Sequence, residues 1–262
     1  MSVQLLIEGD VVHPAVEAIL FDKDGTLVDI HHYWSSMIRI RADLIVKRWF
    51  ARHHDRDVIE CALIDAMGVS QQSGRMKPEG PVGVKPRSFI VDVAAETACI
   101  YGACVSNMEM ERLFAEVDQA TENELLPLLR VLPGVESLLG QLGEAGVASV
   151  IVSTDITPRA RKAMEVLSLD GCFKEIIGGD QVVNSKPATD LTELALQRLG
   201  CRPEHAVVIG DHPVDVMMGS AVGVGLNIGV LTGLSSENSF AGLDCRIVHD
   251  LTAINIRKTR PA

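Results

Sequence analysis

The stretch Phe21-Asp22-Lys23-Asp24-Gly25-Thr26-Leu27-Val28-Asp29 decides how the rest of the chain is read. Before it runs a short apolar segment, Val16 to Leu20 broken only by Glu17, which reads as a buried strand. Two carboxylates two residues apart, then a glycine and a threonine, therefore stand where a strand ends. In open α/β sheets ligands bind beyond the carboxyl ends of the strands. Paired acids at such a place can hold a divalent metal through oxygen ligands. Alternatively one can attack as a nucleophile with an acid/base partner. A strand-end turn with solvated Asp and Gly has the same letters, so the decision rests on the rest of the chain.

The 262 residues suit one core domain plus a smaller appended one. Apolar residues make up 47% and aromatic residues only 4%, which predicts a sizeable core with aliphatic packing. The net charge of −11 argues against general nucleic-acid binding, which rests on phosphate neutralisation by Lys and Arg. It leaves room for an anionic small molecule, because a bound metal and one or two placed cations can reverse a local field. No apolar run approaches the roughly eighteen residues of a membrane span. The first ten residues lack the basic start of a secretory signal and are read as an extra edge strand before the first core strand. Neither a membrane nor a nucleic acid is thus expected as a partner. The six cysteines (61, 99, 104, 172, 201 and 245) contain no C-x-x-C pair and are expected to be buried, reduced thiols of a cytoplasmic protein.

Residues 30 to about 130 carry helical periodicity and few strand signals. Helices are expected over Tyr33 to Phe50, Val58 to Met67, Ile90 to Tyr101 and Asn107 to Leu129. Ser70 to Arg87, rich in glycine and proline, reads as a long loop. From Pro133 the texture changes to alternating helix and strand. Strands are expected at Val147–Val152, near Phe173 to Ile177, at Ala206–Ile209, near Leu226 to Val230 and, as the last, at Arg246–Val248. Short links between them imply a parallel sheet with helices on both faces. An insertion of about a hundred helical residues directly after the first strand end is a natural lid over the active edge, with hinges near 30 and 130.

Four later features fall at strand ends. Ser153-Thr154-Asp155 follows the second strand, where a hydroxyl can donate to an anionic oxygen or cap the next helix. Lys186, before Pro187 and a helix, suits phosphate neutralisation but equally a solvated surface. Asp211 and Asp215 stand at i and i+4 across a strand end and a helix start. They could serve as a metal ligand and a supporting carboxylate, or merely complement the helix dipole. Gly223 to Gly233 is glycine-punctuated without the spacing of a dinucleotide fingerprint, and reads as a core strand and turn.

Taken together, these residues resemble the haloacid dehalogenase superfamily, in its phosphatase-like branch. Asp22-Lys23-Asp24-Gly25-Thr26 looks like its first motif, Ser153 the second, Lys186 the third, and Gly210-Asp211 through Asp215 the fourth, in order across residues 17–233. Leu132 to Val135 and Gly229 to Gly233 also resemble segments of that branch, and the insertion resembles the helical cap of the phosphoglycolate phosphatase subclass. The resemblance implies a three-layer, Rossmann-like α/β core over 1–29 and 131–262 and a small helical cap over 30–130. It implies a Mg²⁺-dependent phosphatase acting on a small phosphorylated metabolite, as a monomer or homodimer.

The roles follow from the same resemblance. Asp22 would be the nucleophile and Asp24 the acid/base; dehalogenating relatives lack this second acid. Asp22, Asp211 and the backbone carbonyl of Asp24 would hold Mg²⁺. Ser153, Thr154, Lys186, Gly25 and Thr26 would hold the phosphoryl group, and Asp215 would orient Lys186 or a metal-bound water. In the cap, His31, His32 and Trp34, with Lys85 and Arg87 of the loop, are candidate substrate contacts; hinge packing by Trp34 and solvated loop charges are the competing readings. Asp155 and His212 depart from the usual pattern and either tune substrate choice or reflect surface drift. A phosphomutase on the same scaffold is the alternative activity.

Overall fold

The computed structural model describes residues 3–82, 85, 87–121 and 126–259. The chain divides into two compact units, Met1–Asp29 with Val131–Ala262, and Ile30–Arg130. The first unit opens with strands β1 (Val3–Ile7), β2 (Asp10–His13) and β3 (Ala18–Phe21). The second holds helices α1 (Ile30–Trp49), α2 (Arg56–Ala66), α3 (Arg87–Ile100) and α4 (Asn107–Thr121) and a 3-10 turn at Leu126–Leu128. The chain then re-enters the first unit as α5 (Val135–Ala145), β4 (Ala148–Val152), α6 (Thr157–Val166), β5 (Glu175–Ile177) and α7 (Asp190–Leu199). It finishes with β6 (Ala206–Gly210), α8 (Pro213–Val222), β7 (Leu226–Val230), β8 (Arg246–Val248) and β9 (Ile254–Lys258).

Six strands form one parallel sheet in the order β5-β4-β3-β6-β7-β8. The strand before the acidic motif lies inside it, with Phe21 opposite Ile151 of β4 and Ile209 of β6. All four residues of β3 are buried, as expected of a strand covered on both faces. On one face Leu20, Val150, Val152 and Val208 pack with Leu191 and Ala195 of α7 and Met218 of α8. Because β3, β4 and β6 run parallel and in step, the residues that follow each of them emerge along one edge.

Four expectations are corrected. The N-terminal residues do not extend the core sheet: β1 pairs antiparallel with β2 and with β9 in a separate three-stranded sheet. Glu8 and Gly9, with φ of 52° and 96°, give the positive-φ pair that a two-residue hairpin demands, and this folds β2 back onto β1. The strand after Val248, β9, lies outside the reading, which ended at β8. The cysteines are not buried: four are exposed and two half-buried, all free. The aliphatic residues have taken the inward positions; in α2, for example, Ile59, Leu63 and Ile64 are buried and Cys61 faces out. The expected helix over Asn107 to Leu129 ends at Thr121, and residues 122–125 lie outside the described set.

The helical unit has its own core, with Met37, Ile38, Ala42 and Ile45 of α1 and Leu113, Phe114 and Val117 of α4 all buried. Arg41 is buried among them at 2% exposure. Its guanidinium sits 4.4 Å from the Phe114 ring centre and donates to Asp118 Oδ1 at 2.9 Å, which offsets the cost of burying it.

His13, at the end of β2, is buried with both ring nitrogens engaged: Nε2 lies 3.0 Å from the Glu204 carbonyl, and the Ala15 amide donates to Nδ1 at 3.3 Å. An Nδ1 that accepts requires neutral imidazole, and burial lowers the pKa of this histidine. Its contribution to stability is therefore complete above the usual value of 6.5 and declines as pH falls toward the depressed folded value. Replacing it by Gln should cost stability near about pH 7.5 and progressively less toward about pH 5.5, read as the gap between wild-type and variant melting curves. Leu20→Ala should destabilise by about 2–5 kcal/mol, seen as a lower urea midpoint at unchanged slope.

Candidate active site

Asp22 is the first residue beyond β3, and its amide donates to the Ile209 carbonyl at 2.9 Å, so the strand holds it in register. Lys186 comes from the loop before α7, 164 residues away in sequence, yet its Nζ donates to Asp22 Oδ1 at 2.6 Å. The same ammonium donates to Asp215 Oδ1 at 2.7 Å. The Lys186 side chain is only 2% exposed. The solvated-surface reading of this lysine is thereby excluded. Burial works against the ammonium, but Asp215 and Asp22 outweigh it and keep Lys186 protonated well above the usual lysine range.

Asp211 follows β6 and is 4% exposed. Its Oδ2 accepts from the Leu234 amide at 2.9 Å. Burial first, then the neighbouring charges of Asp22 and Asp215, push its carboxyl well above the usual carboxylate range. Two glycines make room for this carboxylate. A Cβ at Gly25, whose φ is +95°, would lie 2.5 Å from Asp211 Oδ2, and one at Gly233 would lie 1.8 Å from it. The Thr232 hydroxyl donates to the Gly25 carbonyl at 2.6 Å and ties the turn after β7 to the acidic loop.

Asp24 is 13% exposed and its Oδ1 accepts from Lys23 Nζ at 2.7 Å. Burial raises the pKa of both Asp22 and Asp24; Lys186 opposes the rise at the first and Lys23 at the second. Thr26 is fully buried, and its hydroxyl has no hydrogen bond among the described residues. Ser153 follows β4 at 2% exposure. Its amide donates to the Ile177 carbonyl at 3.0 Å, and its Oγ accepts from the Asp155 amide at 3.1 Å. It does not cap α6, whose N-cap position is Ile156. Thr154 is exposed beside it.

Two departures from the family pattern have structural explanations. His212 is the N-cap of α8: its Nδ1 accepts from the Val214 amide at 3.3 Å, and Asp215 Oδ2 accepts from the His212 amide at 3.1 Å. The pair forms a capping box with His in the place of the usual hydroxyl. Asp155 is 6% exposed and lies 3.4 Å from Lys23 Nζ and 3.1 Å from Arg159. Both side chains are thus engaged by neighbouring groups of the site loops. The sequence reading passed over Lys23, although a lysine wedged between two motif acids, with an extra acid at Asp155, was the available signal.

The candidates of the helical unit are placed within that unit. His32 Nε2 is 2.9 Å from the Pro127 carbonyl, and Trp34 stacks edge-on against Tyr33 with Arg41 over its ring. Arg87 pairs with Glu111 and Asp118 on α4, and exposed Lys85 stands over Phe89. His31 is half-buried.

The carboxylates fit a hard divalent cation. Asp22, Asp211 and Asp215 crowd one buried spot with the Lys186 ammonium in contact with two of them and the charge of Lys23 also acting on Asp22. That leaves negative charge in dry surroundings, which a cation would offset. Among the described residues only the largely exposed His53, His54 and Asp55 bring three side-chain ligand atoms within 4.8 Å of one another. Backbone or water oxygens would therefore complete the shell of a cation at Asp22 and Asp211.

Comparison with known proteins gives the chain a family. The chain is 22% identical over 210 residues to pyrophosphatase PpaX of Oceanobacillus iheyensis, covering 80% of this chain and 81% of that protein. It is 31% identical over 124 residues to phosphoglycolate phosphatase of Escherichia coli, covering 46% of this chain and 49% of that protein, so that match spans about half of each. The fold matches a crystal structure of β-phosphoglucomutase from Clostridium difficile with a TM-score of 0.63 at 17% identity, over 90% of this chain and 92% of that one. No described helix is long and apolar enough to cross a membrane. Residues 19–228 match the family model of haloacid dehalogenase-like hydrolases, and the chain belongs to that family.

Proposed function

We propose that this hydrolase is a Mg²⁺-dependent phosphatase that frees phosphate from a small phosphorylated metabolite by way of an aspartyl-phosphate on Asp22. The observation that carries this reading is the buried grip of Lys186 on Asp22 and Asp215 beside Asp211. It leaves a carboxylate oriented at the end of β3 and a fixed positive charge next to it, the pairing that phosphoryl transfer needs. Relatives named as a phosphatase and a pyrophosphatase support the same class.

Asp22 attacks phosphorus, and an Asp22 O–P bond forms as the ester O–P bond breaks. Asp24 gives its proton to the departing oxygen, then takes one from the water that hydrolyses the aspartyl-phosphate. Lys186 and the Ser153 hydroxyl bind phosphoryl oxygens, with Thr154, Thr26 and the backbone at Gly25 around them. Asp215 keeps Lys186 in place. Asp22, Asp211 and the Asp24 backbone carbonyl would hold Mg²⁺, which would supply charge neutralisation when bound. The helical unit Ile30–Arg130 is the proposed carrier of substrate selectivity. Free cysteines throughout suit a reducing cytoplasm.

With Mg²⁺ the protein should release phosphate from p-nitrophenyl phosphate, and a chelator should stop it until Mg²⁺ is restored. Asp22→Asn should lower turnover by about a thousandfold or more; retention of most activity would falsify the nucleophile assignment. Lys186→Met should cost about a hundredfold or more in kcat, as expected for loss of a preorganised charge. Conversion of a hexose 1-phosphate into its isomer, with no free phosphate, would point to the phosphomutase instead.

A further inference from the structure

A second buried chain of charges leaves the same strand end. The Lys23 side chain is 1% exposed, and its ammonium donates to Asp24 Oδ1 at 2.7 Å. Asp155 Oδ2 is buried without a hydrogen bond among the described residues and lies 3.4 Å from that ammonium. The other oxygen of Asp155 accepts from the Ile156 amide at 2.8 Å and from Arg159 of α6 at 3.1 Å. Opposite charges thus alternate from the acidic loop to the loop after β4 and on to α6: Asp24, Lys23, Asp155, Arg159.

An ammonium buried this deeply costs free energy unless paired, and an apolar side chain could fill the same space without that cost. What the ammonium adds is direction. A lysine ammonium only donates, so Oδ1 of Asp24 must accept, and a proton on this carboxyl must sit on Oδ2. The acid is thereby presented through one oxygen. Asp22, the acid on the other side of Lys23 in sequence, is hydrogen-bonded to Lys186, and Asp155 lies against the Lys23 ammonium from the loop after β4.

We propose that Lys23 is a positioning residue for the phosphoryl-transfer reaction, which fixes the Asp24 carboxyl so that Oδ2 faces the leaving oxygen, and that Asp155 and Arg159 hold Lys23 in that role. The inference rests on the phosphatase reading above. Lys23 itself exchanges no proton. When the ester O–P bond breaks, its electron pair goes to the leaving oxygen, which takes the proton from Asp24 while phosphorus passes to Asp22. The help of Lys23 is therefore largest where the leaving oxygen is strongly basic.

The test compares two ring-bearing monoesters in Mg²⁺: p-nitrophenyl phosphate, whose acidic phenol leaves without protonation, and benzyl phosphate, whose alkoxide needs it. The quantity read is kcat/KM, which ends at the aspartyl-phosphate. Lys23→Met should lower it about tenfold to a hundredfold on benzyl phosphate and less than about threefold on p-nitrophenyl phosphate. Asp155→Asn, a milder change, should move the ratio of the two substrates in the same direction. In the Lys23→Met background Asp155→Asn should not move it further. If Lys23→Met fails to fold by circular dichroism, Asp155→Asn alone decides. Equal losses on both substrates, or an unchanged ratio, overturn the positioning role and leave the phosphatase reading standing. A wild-type protein that hydrolyses neither ester overturns the phosphatase reading and this inference with it.

Discussion

The site depends on one buried ammonium. Lys186 sits between Asp22 and Asp215, at 2.6 Å and 2.7 Å, with almost no exposure. Three carboxylates brought together away from water repel one another. One ammonium in hydrogen-bond contact with two of them offsets part of that penalty. Asp211 accepts no ammonium hydrogen bond among the described residues, and burial, then the charges of Asp22 and Asp215, push its carboxyl well above the usual range. The negative charge that remains is what the proposed Mg²⁺ would offset.

The scaffold supplies the close approach by small local devices. Gly25 and Gly233 give the Asp211 carboxylate a place that any Cβ would occupy. The hydroxyl of Thr232 then fastens one of these turns to the other. At the start of α8, the His212 ring caps the Val214 amide and Asp215 caps the His212 amide. The cap holds Asp215 through Oδ2, so that Oδ1 is turned to Lys186. A residue that departs from the family pattern thus serves the geometry of the lysine through its neighbour.

Much of this was legible along the chain. The apolar run before Phe21, the runs before Ser153 and Asp211, and the alternation of helix with strand fix the α/β character, because a parallel strand buried on both faces must be continuously apolar. What failed did so for reasons of context. The hairpin of β1 and β2 reads like a sheet edge, and only its pairing with β9, near the far end of the sequence, removes it from the core sheet. Cysteine burial was inferred from residue type, whereas burial depends on which helix face each position occupies. Lys23 stands between two motif acids in sequence, but only the structure shows that its ammonium also meets Asp155.

By itself the sequence determined which residues stand at strand ends, and so which acids, hydroxyls and lysine were available for chemistry; local periodicity and turn chemistry are enough for that. Tertiary structure alone decided who pairs with whom. That Lys186 belongs to Asp22 and Asp215, and Lys23 to Asp24 and Asp155, follows from strand order and register, which are settled by long-range packing. Charges interact through space over a few ångströms, and separation along the chain carries no information about that distance.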